Sequence, residues 1–173
     1  MRQAQELAEE LTESHIAFIH FVHAVHDDEH TIELATWSRR TSSEYGQVSE
    51  AEHYPVSQAG IWADALRECR PVVVNDYPAH PAKHGLIPGH AELQRVLIVP
   101  VIEHGKVVML AGVGNRVMPY GELEVETARL IANETWRLVQ RRRTLARLAA
   151  SETRYRELIE NMSDGVAVYT AVD

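Results

Sequence analysis

The feature that most constrains this sequence is a long stretch, residues 122–164, that contains neither glycine nor proline. Its leucines and isoleucines recur at spacings near three, four and seven residues, which is the periodicity of an apolar stripe on a helix. Because the two residues that most often interrupt helices are missing, we expect one long continuous helix. The apolar positions are Leu123, Leu130, Ile131, Leu138, Leu145, Leu148, Leu158 and Ile159.

A turn and a strand-like segment follow this helix. Asp164-Gly165 predicts the turn, and Val166 to Tyr169 is typical of a strand. A lone strand is not stable by itself. We therefore expect the chain to be a segment of a longer protein, in which the helix joins one module to the next.

Length, charge and cysteine content exclude several classes of protein. The 173 residues favour one domain with a connector. Cys69 is the only cysteine, which excludes an internal disulfide framework and indicates a cytoplasmic location. There is no secretory signal and no apolar run long enough for membrane insertion. The net charge of −8 argues against nucleic acid as a partner, and we interpret the seven arginines of 137–156 as a solvated helix face.

The order of the predicted elements indicates an α+β fold. Two hairpins in succession predict a central, mostly antiparallel sheet of about five to six strands with helices on both sides. We expect helices over 1–13, 59–68 and 122–164, and strands over 15–22, 31–37, 54–57, 72–74, 95–102 and 106–114. The strands 15–22 and 72–74 are predicted to be buried. Residues 38–53 are expected to be irregular, and 75–92 to form a long structured loop of the kind that is often functional.

Several motifs in this order resemble the GAF sensory-domain family, in the form fused to PAS modules in bacterial and archaeal sensor proteins. The matching stretches are Ser14–Phe21, Tyr54-Pro55-Val56, Gly60–Asp64, Pro71–Tyr77, Gly85–His90, Arg95–Val101 and Gly112–Asn115. The tail from Ser151 to Val166 resembles the beginning of a PAS domain. The resemblance implies a GAF domain over 1–143, a signalling helix over 144–160, and a truncated start of a PAS domain over 161–173.

The resemblance also implies a function. It implies a non-catalytic sensory domain of a signal-transduction protein, which binds a small-molecule ligand and relays the signal through its C-terminal helix. The implied partners are downstream PAS and output domains of the same chain, either a histidine kinase of a two-component system, which we favour, or a diguanylate cyclase. Neither catalytic signature is present in the chain. Some GAF proteins reduce methionine sulfoxide, but they need several cysteines.

A set of aromatic and polar residues is expected to line the ligand pocket. Aromatic rings supply flat apolar walls, and polar side chains supply a few directed hydrogen bonds, as in most small-molecule sites. The candidates are Trp37, Trp62, Asp76, Tyr77, His90, Arg95 and Asn115. The alternative is that the aromatic residues are core, that Arg95 pairs with Asp76, and that Asp76 caps the next turn.

The ten histidines and the single cysteine raise the question of a cofactor. Strand alternation places His20 and His23 on opposite faces, and we expect solvated histidines and no metal site. The cofactor stays unknown, with heme a minor alternative. Cys69 is expected to be a small buried thiol. Gly112 and Gly114 are expected to permit close packing of a helix.

The long helix also carries an imperfect heptad seam, which predicts a homodimer through the terminal helices. The seam is Ile131, Thr135, Leu138, Leu145 and Leu148, interrupted by Arg142. We expect a parallel dimer in which residues 1–13 join a four-helix bundle. Two alternatives stay open: the helix packs only on its own sheet, or the domain is a ligand-free dimerisation relay.

Overall fold

A computed structural model describes residues 1–24, 30–45, 53–55, 60–81 and 92–164. The chain divides into two compact units, Met1–Trp136 and Arg137–Asp173. No helix among the described residues is long and apolar enough to cross a membrane.

The first unit is built on one six-stranded antiparallel sheet, as the hairpin pattern predicts. The strand order is β3-β2-β1-β6-β5-β4. The elements along the chain are α1 (Arg2–Leu11), β1 (Ile16–Ala24), β2 (His30–Trp37), α2 (Arg39–Tyr45), β3 (His53–Pro55), α3 (Ile61–Glu68), β4 (Val72–Val74), β5 (Val96–Glu103), β6 (Lys106–Gly114) and α4 (Glu122–Asp164). The α+β class and the long final helix are therefore confirmed.

The two faces of the sheet bury different sets of side chains. Strand β1 lies in the middle and pairs with both β2 and β6, so its alternate residues point to opposite faces. On one face, called the α3 face here, Ile16 and Phe18 join a buried cluster with Ile61 and Ala65 of α3. On the other, the α1 face, Ala17 and Ala8 of α1 line the same small cavity.

Small side chains let the helices approach the α1 face closely. These side chains come from α1, from the start of α4 and from the central strands β1 and β6: Ala4, Ala8, Ala17, Ala111, Ala128 and Ala132. The interface leaves a cavity of about 20 Å³ beside Gln5, enough for one water molecule. Near this face the rings of Phe21 and Trp136 meet edge to face, with centroids 6.1 Å apart. The amphipathic start of α4 is thereby held on the sheet.

Two parts of the fold differ from the prediction. Residues 38–53 were expected to be irregular, but α2 occupies Arg39–Tyr45. The buried Ser38 hydroxyl accepts a hydrogen bond from the Thr41 amide at 3.1 Å, so Ser38 caps this helix. Strand β4 was expected to be buried, but Val73 is 39% exposed because β4 is an edge strand that pairs only with β5.

The glycines of β6 accommodate side chains, and the expectation that a helix packs on them is wrong. Gly112 lies beneath the ring of Phe18, and Gly114 lies beside Leu93 and Ile16. Both glycines are on the α3 face, where β6 pairs with β1. Their missing side chains therefore make room for the core cluster of that face.

Candidate functional site

The α3 face brings together two of the residues expected to line a ligand pocket. Trp37 ends β2 opposite Phe18 of β1, and Tyr77 follows β4. Both side chains are buried in the cluster that also contains Ile61 and Leu93. Both residues are therefore part of the buried core, as the alternative interpretation predicts, and their assignment to a ligand site stays a prediction.

Tyr77 adds a polar atom to this apolar surface. Its backbone is held in place, since its amide donates to the Gln94 carbonyl at 2.9 Å and its carbonyl accepts from the His80 amide at 3.0 Å. The side chain is only 4% exposed, and its hydroxyl has no hydrogen-bond partner among the described residues. Burial raises the pKa of Tyr77, so the group stays a neutral hydroxyl that can donate one hydrogen bond.

The neighbouring Asp76 points to solvent and serves the local turn. Its Oδ1 accepts a hydrogen bond from the Ala79 amide at 3.2 Å, which confirms the alternative that Asp76 caps this turn. No ion pair joins Asp76 to Arg95 in the part of the chain that the structure describes. Arg95 instead donates from a terminal guanidinium nitrogen to the Arg116 carbonyl at 3.3 Å. The alternative in which Arg95 pairs with Asp76 is therefore wrong.

Asn115 connects two chain segments at the end of the sheet. Its Oδ1 accepts from the Gln94 amide at 2.8 Å, and its Nδ2 donates to the Glu92 carbonyl at 2.8 Å. Its φ of 60° lies in the left-handed region, which asparagine tolerates better than most residues. These contacts give Asn115 a structural role.

For two further candidates the side chains are not described. The backbone of Trp62 belongs to α3, but its side chain is not described. His90 lies in 82–91, which is also beyond the described ranges. Their assignment to the site stays a prediction.

A pair of residues that the sequence did not single out links the α3 face to the start of α4. Asn75 directly follows β4, and its Nδ2 donates to the Tyr120 carbonyl at 3.1 Å. In return, the Tyr120 amide donates to Asn75 Oδ1 at 2.7 Å. Tyr120 stands two residues before α4, while Asn75 stands two residues before Tyr77. The only signal in the sequence was an asparagine at the end of a predicted strand.

Tyr120 extends this link to the end of α1. Its hydroxyl lies 2.8 Å from the Ser14 hydroxyl, which is in turn 2.8 Å from that of Thr12. Tyr120 is 4% exposed, and burial raises its pKa to about 12. The Gly121 amide donates to Glu124 at 2.8 Å, which satisfies one of the free amides at the start of α4. Hydrogen bonds thus join three segments of the chain: the residues after α1, the residue after β4 and the residues before the start of α4.

A second polar cluster is buried where α1 meets α2. The Glu9 carboxylate accepts hydrogen bonds from the Ser38 hydroxyl and, at 3.2 Å, from the Thr41 hydroxyl. Glu9 is 8% exposed, and the two hydroxyl-bearing residues are almost fully buried. A buried carboxylate requires such donors, so this cluster fixes α1 against the start of α2.

The histidines and Cys69 depart from the expected pattern. His20 and His23 do lie on opposite faces, but His20 is buried, with its ring centroid 5.2 Å from that of Phe18, so it is not solvated. His23 forms a hydrogen bond with the Glu33 carboxylate, with 2.7 Å between Nε2 and Oε2. Cys69 is exposed, and the prediction of a buried thiol is wrong because the helix ends there in a left-handed residue. Across the described ranges, no three His, Cys, Asp or Glu side chains are placed to hold a metal ion.

The six-stranded antiparallel sheet, with α1 and the start of α4 on one face and α3 on the other, defines an α+β domain. Residues 1–140 match the family model of the GAF domain. The chain therefore belongs to the GAF domain family.

A characterised relative and two solved structures are similar to this chain. The methyl sulfide methyltransferase-associated sensor of Methanosarcina acetivorans is 35% identical over 140 residues, which is 80% of this chain and 14% of the relative. The GAF domain of a phosphoenolpyruvate-protein phosphotransferase from Coxiella burnetii has a TM-score of 0.64 at 17% identity, covering 84% of this chain and 83% of that one. A segment of a methyl-accepting chemotaxis protein has the same TM-score at 16% identity, covering 83% and 88%.

Proposed function

We propose that this domain is a non-catalytic sensor that binds a small molecule on the α3 face and relays the event through α4. The observation that carries the proposal is the Asn75–Tyr120 pair of hydrogen bonds, at 3.1 and 2.7 Å. It joins the segment that carries Tyr77 to the residues that begin α4. A ligand that contacts this segment has a direct mechanical connection to the helix.

The binding step rests on Tyr77. A buried hydroxyl without a partner costs about 1–3 kcal/mol. A ligand acceptor that reaches this hydroxyl removes that cost in the bound state only. The ligand then favours the conformation of residues 75–77 in which the Tyr77 hydroxyl faces the ligand. Because the ligand binds this conformation more tightly, binding increases its population. Trp37 supplies an apolar wall, while Trp62, His90, Arg95 and Asn115 stay candidates for further contacts.

The relay step rests on Tyr120. A shift of Asn75 moves the Tyr120 backbone, since both hydrogen bonds are to backbone atoms. Tyr120 also contacts Ser14, so α1 and α4 respond together. Small rearrangements at such packed contacts are amplified because the packing has discrete alternatives.

The whole protein extends this proposal. The chain spans about one seventh of the length of its sensor relative. We propose a cytoplasmic sensor, with a histidine kinase of a two-component system favoured over a diguanylate cyclase as the output. Residues 144–160 would be the signalling helix and 161–173 the beginning of a PAS domain. The relative's name as a sensor supports the general role.

Native mass spectrometry and an absorbance spectrum of the purified chain test the proposal. We expect a colourless protein that carries a small bound mass on each protomer, and the Tyr77→Phe variant should retain less of it. A Soret band would instead make the domain a heme or redox sensor. If the original chain and the Tyr77→Phe variant were both ligand-free dimers with the same absorbance spectrum, the domain would be a dimerisation relay. This result would contradict small-molecule binding on the α3 face.

A further inference from the structure

The part of α4 in the second unit presents apolar side chains to solvent at heptad spacing. Leu138, Leu145, Leu148 and Tyr155 are 59, 56, 55 and 66% exposed. Their separations of seven, three and seven residues place them at the a and d positions of a helical seam. Ile131 and Thr135, expected to belong to the same seam, instead border the cavity between α4 and the sheet. The exposed seam therefore begins at Leu138.

Two charged residues occupy the remaining seam positions. Arg141 lies three residues after Leu138, and Glu152 lies seven after Leu145, so they take one d and one a position. Both are exposed. Between 138 and 155 they are the only polar seam residues, and they have opposite charges.

A parallel pairing of two copies handles these charges badly. In a parallel two-stranded coil, each seam residue faces its own counterpart. Arg141 would then face Arg141, and Glu152 would face Glu152. Beside the seam, Arg137 of one copy would also lie against Arg142 of the other. Like charges at such positions weaken association.

An antiparallel pairing resolves every one of these conflicts. In that arrangement, each a position faces a d position of the other copy. With the centre between Ala146 and Arg147, Arg141 faces Glu152 of the second copy, and the same contact recurs at the other end. Leu145 then faces Leu148, and Leu138 faces Tyr155. A shift of one heptad in either direction places Arg141 against Leu145 or Ile159 and loses the charge pairs.

We propose that a second copy of this chain binds antiparallel along residues 138–155 of α4, in the register that pairs Arg141 with Glu152. The proposal rests on the homodimer that we expect for the sensor. It replaces the parallel orientation of the two helices, expected from the sequence, with an antiparallel one. The contact has six layers. Two of them are Arg141–Glu152 ion pairs, and the other four each pair two apolar side chains. The C-terminal ends of the two helices then point away from each other.

Charge reversal tests the register. Sedimentation velocity would give the dimer dissociation constant for Arg141→Glu, Glu152→Arg and the double variant. Each single change creates like-charged layers, so we expect about tenfold weaker dimers, and the double change should restore the original constant within a few-fold. A parallel dimer keeps like charges in all three variants. Absence of rescue would therefore overturn the proposal.

Distances between two labelled copies test the direction. Spin labels at Ala150 and, separately, at Glu157 in a Cys69→Ser background both lie opposite the seam. A rise of 1.5 Å per residue predicts axial separations of about 10 Å at 150 and about 32 Å at 157 in the antiparallel pair. Equal distances at both sites would establish a parallel dimer and contradict only the direction. A monomer at all concentrations would contradict the dimer itself, while ligand binding is measured independently.

Discussion

The ring of Phe18 lies directly over Gly112 of the neighbouring strand. A Cβ atom placed on Gly112 would stand 1.9 Å from the Phe18 Cζ atom, which is far inside van der Waals contact. The two residues face each other in the β1–β6 register. Phe18 can therefore lie flat on the sheet only because position 112 has no side chain, and its ring fills the middle of the α3 face.

Gly112→Ala should destabilise the domain by about 1–3 kcal/mol, because the ring must move into a packed core. Urea denaturation monitored by circular dichroism would measure the free energy of unfolding. Gly121→Ala is the matched control, since its added Cβ would meet only the Glu124 side chain at 3.4 Å. Adding Phe18→Leu to Gly112→Ala should recover part of the loss. If the two changes were simply additive, the ring would not be the cause.

Ser38→Ala should cost about 1–3 kcal/mol of stability, because it removes both the cap of α2 and a donor to the buried Glu9 carboxylate. Thermal unfolding would show the loss as a lower midpoint. Ser43→Ala removes a hydroxyl that donates to the Arg40 carbonyl on the surface of the same helix, and it should change little. Equal effects of the two substitutions would argue against a role for the Glu9 contact.

Tyr120 should make the domain sensitive to alkaline pH. Burial raises its pKa from 10.0 to about 12, so between these values the folded chain keeps a proton that the unfolded chain releases. The contribution is complete below pH 10 and is lost as pH rises towards 12, up to about 3 kcal/mol. The free energy of unfolding measured against pH should fall over this interval.

Two variants separate titration of Tyr120 from the loss of its hydrogen bond. Tyr120→Phe removes the ionisable group, so its stability should decline less between pH 10 and 12. Ser14→Ala removes the same hydrogen bond and keeps the ionisable hydroxyl, so the decline should persist. A decline of the same size in Tyr120→Phe would assign the alkaline sensitivity to another group.

Tyr77→Phe should leave the ligand-free domain as stable as the original, or stabilise it by about 1 kcal/mol, because the hydroxyl has no partner among the described residues. Denaturant unfolding of ligand-free protein would measure this. Tyr155→Phe, at an exposed position of α4, is the control. A loss above about 1 kcal/mol in Tyr77→Phe alone would show that the free protein already satisfies this hydroxyl.

The helices and strands were largely predictable because their signals are local. The missing glycine and proline in 122–164 predicted α4. A stretch that is apolar on both faces predicted β1, and the alternating pattern of residues 31–37 predicted β2 as its hairpin partner. The prediction failed for α2, because a short helix capped by Ser38 and held by Glu9 depends on a partner 29 residues away. The strand β4 was predicted with its observed bounds, but its place at the edge of the sheet was not, since edge and central strands have similar apolar runs.

The site was predictable only in part. Trp37 and Tyr77 do share a buried cluster, and Asp76 caps the turn as one of its two expected roles. The backbone hydrogen bonds of Asn115 were not indicated by its position in the sequence. Asn75 and Tyr120 are 45 residues apart and were not anticipated. Pairs of this kind have no periodicity, so no local pattern indicates them.

The sequence by itself determined the antiparallel sheet and the long helix, because hydrophobic periodicity and turn residues act over a few neighbours. Its motifs indicated the family through their resemblance to known sequences. Only the tertiary structure decided that Phe18 covers Gly112, that Asn75 holds Tyr120, and that Ile131 and Thr135 border the cavity beside the sheet. These choices depend on which distant segments come into contact. Close packing leaves room for only one side chain at each position of the core. Which residue takes that position is decided only when the whole fold is assembled.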